Sequence, residues 1–177
     1  MGTSEKSKRR ARGSRPVDVV IDTPRGSRCK FKLDDSTGRL QLGKLLPRGA
    51  TFPSNFGFIP STIAEDGDAL DVLVLVDEAL PVGCHVSVRI IGVLEAKQSE
   101  RGRKAIRNDR LIGVIETEHN PPEMRSIHEL SAQQRRELVH FFSSYNLIEG
   151  RRFRSLGWKD ADQALGLIEQ ARRRATA

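Results

Sequence analysis

The sequence predicts an α+β fold in which short strands build a small mixed or antiparallel barrel and helices pack outside it. Two observations carry this. Short β signals recur from Val17 to Glu116, whereas helix signals begin only beyond Ser131. The 177 residues are one domain's worth of chain, long enough for a real core.

In chain order, Val17–Asp22 alternates and then meets Pro24, and Arg28–Leu33 sets Cys29, Phe31 and Leu33 against Arg28, Lys30 and Lys32. With Pro24-Arg25-Gly26 between them, residues 22–33 read as a hairpin. The turn residues Asp35-Ser36-Thr37-Gly38 lead into a strand at Arg39–Leu42. Further strands are expected at Leu70–Val76, His85–Leu94 and Arg110–Glu116. The charged, glycine-containing segment Lys97–Arg107 predicts a loop. Ser131 is a good N-cap for a helix over 132–144, with Leu138, Phe141, Phe142 and Tyr145 as its apolar stripe. Asp160 caps a second helix, which lines Ala164, Leu165, Ile168 and Ala171 along one face and ends in Arg172-Arg173-Arg174. Cations there complement the helix dipole. No internal repeat is found.

Residues 1–16 hold Lys6, Lys8, Arg9, Arg10, Arg12 and Arg15 against Glu5, which is +5 of the chain's net +7. A disordered basic tail is expected there, and residues 17–177 are read as one domain with a near-balanced charge. Tail contact with nucleic acid is the less favoured reading, since such segments are more often solvated extensions. No apolar run reaches the length of about 18 residues needed to span a membrane. No apolar h-region follows the basic N-terminus, so no secretory signal is expected. Cys29 and Cys84 read as reduced packing residues of a cytoplasmic protein. His85, His119, His128 and His140 have no metal-ligand spacing, and His140 reads as a packed helix residue.

The densest chemistry lies at Glu65-Asp66-Gly67-Asp68-Ala69-Leu70-Asp71-Val72. Asp66, Asp68 and Asp71 repel one another at the mouth of an apolar strand and lose solvation as the chain packs. Divalent cations would offset both costs, because Mg²⁺ prefers carboxylate oxygen and keeps several waters. A solvated acidic turn is the plain alternative, and Gly67 suits one. An EF-hand is excluded by the order of its Asp and Gly and by the missing terminal Glu.

Taken in order, these residues resemble the soluble family I inorganic pyrophosphatases from about Val17 to Ala175. Asp66-Gly67-Asp68-Ala69-Leu70-Asp71-Val72 is similar to the family signature Asp-Gly-Asp-Pro-x-Asp-x, with Ala69 in the place of proline. Phe52-Pro53-Ser54-Asn55-Phe56-Gly57-Phe58-Ile59-Pro60 matches its Tyr-Pro-x-Asn-Tyr-Gly-Tyr block. Pro81-Val82-Gly83, Gly92-Val93-Leu94, His140-Phe141-Phe142 and Gly157-Trp158 add support. The resemblance implies a five-stranded OB-like β-barrel with flanking C-terminal helices, several Mg²⁺ ions, pyrophosphate as substrate and a homo-oligomer, often a hexamer. It implies Asp66 and Asp71 as metal ligands and Asp68 as the carboxylate that helps activate water. Lys30, Lys44 and Tyr145 would hold phosphate, Lys44 standing where the family has arginine.

The chain departs from that pattern at several polar positions. The family's glutamate before the first hairpin is Asp22, and a second glutamate is Lys32. Two tyrosines are Phe52 and Phe56, and the aspartate after the Gly-Val-Leu strand is Gln98. Asp-x-Lys is Asn108-Asp109-Arg110, the lysine after Tyr145 is Asn146, and the charged loop is about five residues longer. Asp109, Glu95 and Glu100 are the candidate substitute carboxylates. Losing one transition-state charge stabiliser commonly costs about 10²–10³ in rate, so Mg²⁺-dependent pyrophosphate hydrolysis at reduced activity is expected. The alternatives are a catalytically inactive relative that binds metal, an anion or a protein partner, and an OB-type nucleic-acid module. The second lacks evident exposed aromatics for base stacking.

Overall fold

The computed structural model describes residues 15–34, 36–117 and 124–177. The tail expected at 1–16 lies outside these, save for Arg15 and Pro16, as do Asp35 and His119. Nine strands and two α-helices occur among the described residues: β1 Val17–Thr23, β2 Cys29–Asp34, β3 Arg39–Leu45, β4 Asn55–Ile59, β5 Leu70–Leu75, β6 His85–Glu100, β7 Ile106–Arg107, β8 Arg110–Ile115, α1 Ala132–Ile148, β9 Arg151–Asp160 and α2 Ala161–Ala175. The main sheet runs β1-β4-β5-β8-β6, and β1 also pairs with β6, so these strands close on themselves. All of these pairings are antiparallel except β5 with β8. The expected α+β class with a small closed sheet is what forms.

Strand alternation divides the core in two. Leu70, Val72 and Val74 of β5 join Val19, Ile21, Ile90 and Leu111 in one cluster, covered by Ala164, Ile168 and Ala171 of α2. Leu73 points the other way, with Ile91, Leu94 and Ile112, into a second cluster closed by Leu138, Phe142 and Tyr145 of α1. This follows from the two-residue period of a strand. Asp71 lies between Leu70 and Val72, so it shares the face of Leu73 and opens toward the second, aromatic cluster.

The expected hairpin over 22–33 does not form. β1 pairs with β4 and β6, while β2 pairs with β3 in a separate two-stranded sheet that turns after Asp34. Pro24-Arg25-Gly26 is instead a corner between sheets. Buried Asn55 accepts from the Arg25 amide at 3.0 Å, and Gly26 donates to the Phe52 carbonyl at 2.9 Å. Those long-range bonds outcompete the local pairing.

The predicted Lys97–Arg107 loop is also mostly strand. β6 continues to Glu100, with β7 on one edge and β9 on the other. Charged side chains do not prevent a strand whose backbone finds partners on both edges. β4 and β9 are strands that the sequence reading did not contain. Helix α1 starts at Ser131 as expected, with a reciprocal capping box through Gln134, but runs to Ile148 and takes Tyr145 inside it. Asp160 caps α2 through the Gln163 amide at 3.1 Å. Cys29 and Cys84 are free thiols. His140 is exposed rather than packed.

Gly57 shows why the Asn-Phe-Gly-Phe-Ile block tolerates no side chain at its centre. A Cβ there would lie 2.3 Å from the Val20 carbonyl oxygen on the neighbouring strand. Gly57→Ala should therefore lower the free energy of unfolding by about 1–3 kcal/mol or more, read as a shift of the urea midpoint with unchanged slope.

Candidate active site

The aspartates sit on a tight turn entering β5. The Ala64 amide donates to the Asp68 carbonyl at 2.8 Å, the Gly67 amide to the Ala64 carbonyl at 3.2 Å, and the Asp68 amide to Asp66 Oδ1 at 3.2 Å. Gly67 has φ 89°, a left-handed conformation that favours glycine and explains its place between two aspartates. Thr62, buried, ties the turn to the strand by accepting from the Leu70 amide at 3.0 Å.

Two of the three aspartates, Asp68 and Asp71, have a cationic partner. Lys32 Nζ lies 3.2 Å from Asp68 Oδ1, both side chains well exposed. Such a pair is weak and readily exchanged. Arg110 Nη1 lies 2.6 Å from Asp71 Oδ2, and its side chain is only 6% exposed. Arg110 also donates to Asn108 Oδ1, and its guanidinium lies 5.8 Å from the Phe56 ring centre and 5.3 Å from that of Phe142. Its Nε is buried without a hydrogen-bond partner.

The remaining predicted residues approach from the β2–β3 sheet and α1. Lys30 Nζ lies 4.7 Å from the Phe56 ring centre and 5.8 Å from that of Tyr145. Lys44 Nζ stands 5.0 Å from the Tyr145 ring centre and is ion-paired with Glu149. Phe52 and Phe56 are buried, and their rings pack in one cluster with Tyr145, Phe141 and Phe142. Asn146, where the family has lysine, is buried and donates to the Phe142 carbonyl at 2.8 Å, inside its own helix.

Electrostatics bind these groups into one site. Burial pushes the Asp22 carboxyl from 3.8 up to about 7, against the pull of nearby Lys30, a Thr23 hydroxyl bond at 2.7 Å and Arg110, while Asp71 adds to the rise. Asp66 keeps an exposed edge, yet the turn crowds solvent from its carboxyl and raises its pKa, with Asp71 and Asp68 adding repulsion. Burial also raises the Tyr145 phenol, so its hydroxyl stays protonated and able to donate.

The substitute carboxylates proposed from sequence are occupied elsewhere. Arg107 Nη2 bridges Glu95 at 2.9 Å and Asp109 at 2.9 Å, and Asp109 also accepts from the Ala96 amide at 2.8 Å. Glu100 pairs with Arg151 at 3.1 Å and Arg103 at 3.4 Å. The Asp109 carboxylate is thus held by Arg107 and the Ala96 amide, while the neighbouring Asn108 side chain meets Gln98 and Arg110. Gln98 and Asn108 instead bond each other at 2.9 Å through their amides. The sequence reading gave no role to Arg110 or Glu149. The Asp-x-Lys departure marked Arg110's position, but its ion pair with Asp71 is a contact between β8 and β5 that no local pattern carries.

Among the described residues, no three carboxylate, imidazole or thiolate groups form a metal-binding cluster. Mg²⁺ needs less, since one or two carboxylates suffice when water and substrate oxygens complete the shell. The crowded, mutually repelling Asp66 and Asp71 fit that requirement. The uncharged Gln98–Asn108 end does not.

A family profile described as inorganic pyrophosphatase matches residues 19–176. The chain belongs to the inorganic pyrophosphatase family. The Streptomyces coelicolor inorganic pyrophosphatase is 35% identical over 158 residues, spanning 89% of this chain and 94% of its own. That of Thermus thermophilus is 37% identical over 152 residues, 84% of each chain. The crystal structure of the Thermus thermophilus enzyme superimposes with a TM-score of 0.82 at 30% identity, covering 100% of this chain and 97% of its own. An inorganic pyrophosphatase from Helicobacter pylori gives a TM-score of 0.83 at 27% identity, over 95% and 99%. The OB-like fold is that of these pyrophosphatases, and the chain is an inorganic diphosphatase, a hydrolase of pyrophosphate.

Asp22 makes the stability of this pyrophosphatase pH-dependent. Between about 4 and about 7 the folded chain keeps a proton that the unfolded chain has released, so stability falls as pH rises through that window and is level above it. Asp22→Asn should remove this fall. Urea midpoints compared at about pH 5 and about pH 8 should lie closer together in the variant than in the wild type.

Proposed function

We propose that the chain hydrolyses pyrophosphate with Mg²⁺ at the Asp66–Asp71 turn, more slowly than members with a full complement of site carboxylates and tyrosines. The observation that carries this reading is the convergence of Lys30, Lys44, Tyr145 and Asp71 at one aromatic cluster, with Asp66 and Asp68 on the turn that leads to Asp71. Asp66 and Asp71 would hold the ion, which when bound supplies Lewis acidity and makes water more acidic.

The chain's own groups account for the rest. Lys30 and Lys44 neutralise the two phosphoryl groups, Lys44 exchanging Glu149 for substrate, and the protonated Tyr145 hydroxyl donates to a phosphoryl oxygen. Asp68 takes the proton of the attacking water. The new P–O bond forms as the bridging P–O bond breaks, and the displaced phosphate leaves with its electron pair. Lys32 competes for Asp68, and the amides of Gln98 and Asn108 bring no negative charge. The hydroxyls absent at Phe52 and Phe56 remove two further donors. These changes support the slower rate.

A homo-oligomer, hexameric by the family resemblance, and a cytoplasmic setting complete the reading. Exposed Leu147 and Ile148 at the end of α1 support assembly. No helix among the described residues is long and apolar enough to cross a membrane.

Phosphate release from pyrophosphate should rise with Mg²⁺, and Asp68→Asn should lower kcat by about 10²–10³. Release no greater than that of the variant would leave a binding protein on a pyrophosphatase fold. Sedimentation equilibrium should give a multiple of the 19.8 kDa chain mass, and a monomer at micromolar concentration would remove the oligomer.

A further inference from the structure

We propose that Arg110 is a built-in cation that takes the place of a divalent ion at the Gln98–Asn108 end of the site, so that this chain works with a smaller metal complement, confined to Asp66, Asp68 and Asp71. The inference rests on the Mg²⁺ reading above and adds where the metal does not go.

Four observations converge on it. The guanidinium is nearly enclosed, and its Nη1 lies 2.6 Å from Asp71 Oδ2. The same nitrogen donates to Asn108 Oδ1 and lies 3.2 Å from the Asp109 carbonyl oxygen. Asn108 donates onward to Gln98 Oε1 at 2.9 Å, so the oxygens best placed to meet a metal already accept hydrogen bonds. The carboxylates nearest in sequence, Glu95 and Asp109, are both held by Arg107.

Charge decides the consequence. Arginine cannot lose its proton in a protein, so the positive charge at this position is permanent. An incoming divalent ion would meet that charge with only neutral amides to bind it, and Mg²⁺ gives up its waters reluctantly. Arg110 is also fixed in place, with Phe56 and Phe142 beside its guanidinium. Lys32 differs, because its pair with Asp68 is exposed and can open to admit an ion or substrate. The site therefore has one end whose cation is exposed and free to swing aside and one whose cation is enclosed and held. The buried, unpartnered Arg110 Nε is a spare donor at that fixed end.

The test is a crystal of the full chain soaked with Mn²⁺ and methylenediphosphonate, with Mn²⁺ located by anomalous scattering. Mn²⁺ is expected against Asp66, Asp68 or Asp71, with none ligated by Gln98 or Asn108 and with Arg110 still on Asp71. Mn²⁺ ligated by either amide, with the guanidinium swung away, overturns the proposal. In solution, electron paramagnetic resonance should count more bound Mn²⁺ per chain for the triple variant Gln98→Asp, Asn108→Asp, Arg110→Gln than for the double variant Gln98→Asp, Asn108→Asp. An equal count in a folded variant also overturns it, and the crystal decides alone if the variant does not fold. Absence of Mn²⁺ from the whole site overturns both this proposal and the Mg²⁺ assignment. Failure of the hydrolysis reading is told apart by phosphate release, which neither metal measurement uses.

Discussion

The ion pair between Arg110 and Asp71 is the contact around which the site is organised. A buried guanidinium demands a counter-charge, hydrogen-bond acceptors and a surface for its flat faces. Here β5 supplies the carboxylate, the segment before β8 supplies Asn108, and Phe56 and Phe142 supply the faces. Each of those groups is thereby fixed in relation to the others. Parallel pairing of β5 with β8 brings Asp71 and Arg110 to the same end of neighbouring strands, a juxtaposition that antiparallel hairpins alone do not give.

The aromatic floor completes the arrangement. Phe52 and Phe56 place apolar rings where the family pattern has phenols, and the cluster they form with Phe141, Phe142 and Tyr145 is largely buried. Two lysines and an arginine lie over these rings. Cation–π attraction holds the cations at the surface of the cluster without adding negative charge. The result is a site richer in fixed positive charge than its aspartate-rich motif suggests. Lys30, Lys32, Lys44 and Arg110 stand against Asp66, Asp68, Asp71 and an Asp22 that burial leaves only half ionised near neutrality.

Local signals gave the helix starts at Ser131 and Asp160, the β5 and β8 strands and the acidic turn, because each depends on residues within a few positions of one another. The order of strands before helices gave the small closed sheet, and family likeness added the grouping of Lys30, Lys44 and Tyr145 with the aspartates. What remained hidden depends on distant partners. β9 is a strand because β6 lies beside it, and Arg151 to Arg154 interrupt its apolar signal. The 22–33 hairpin failed because Asn55 and Phe52 claim the corner amides. Glu95, Glu100 and Asp109 looked available until Arg103, Arg107 and Arg151 were seen to hold them.

The β2–β3 ribbon has a further consequence. Among the described residues it pairs with no other strand and none of its strand residues is fully buried, yet it carries Lys30, Lys32 and Lys44. Segments with few buried contacts open at a lower free energy than the core to which they attach. The lysines proposed to hold phosphate therefore ride on a lightly buried ribbon, while Asp71 and Arg110 belong to paired strands of the main sheet. Among the described residues, the proposed phosphate grip and the proposed metal turn thus belong to separate sheets, so either can be altered without re-pairing the strands of the other.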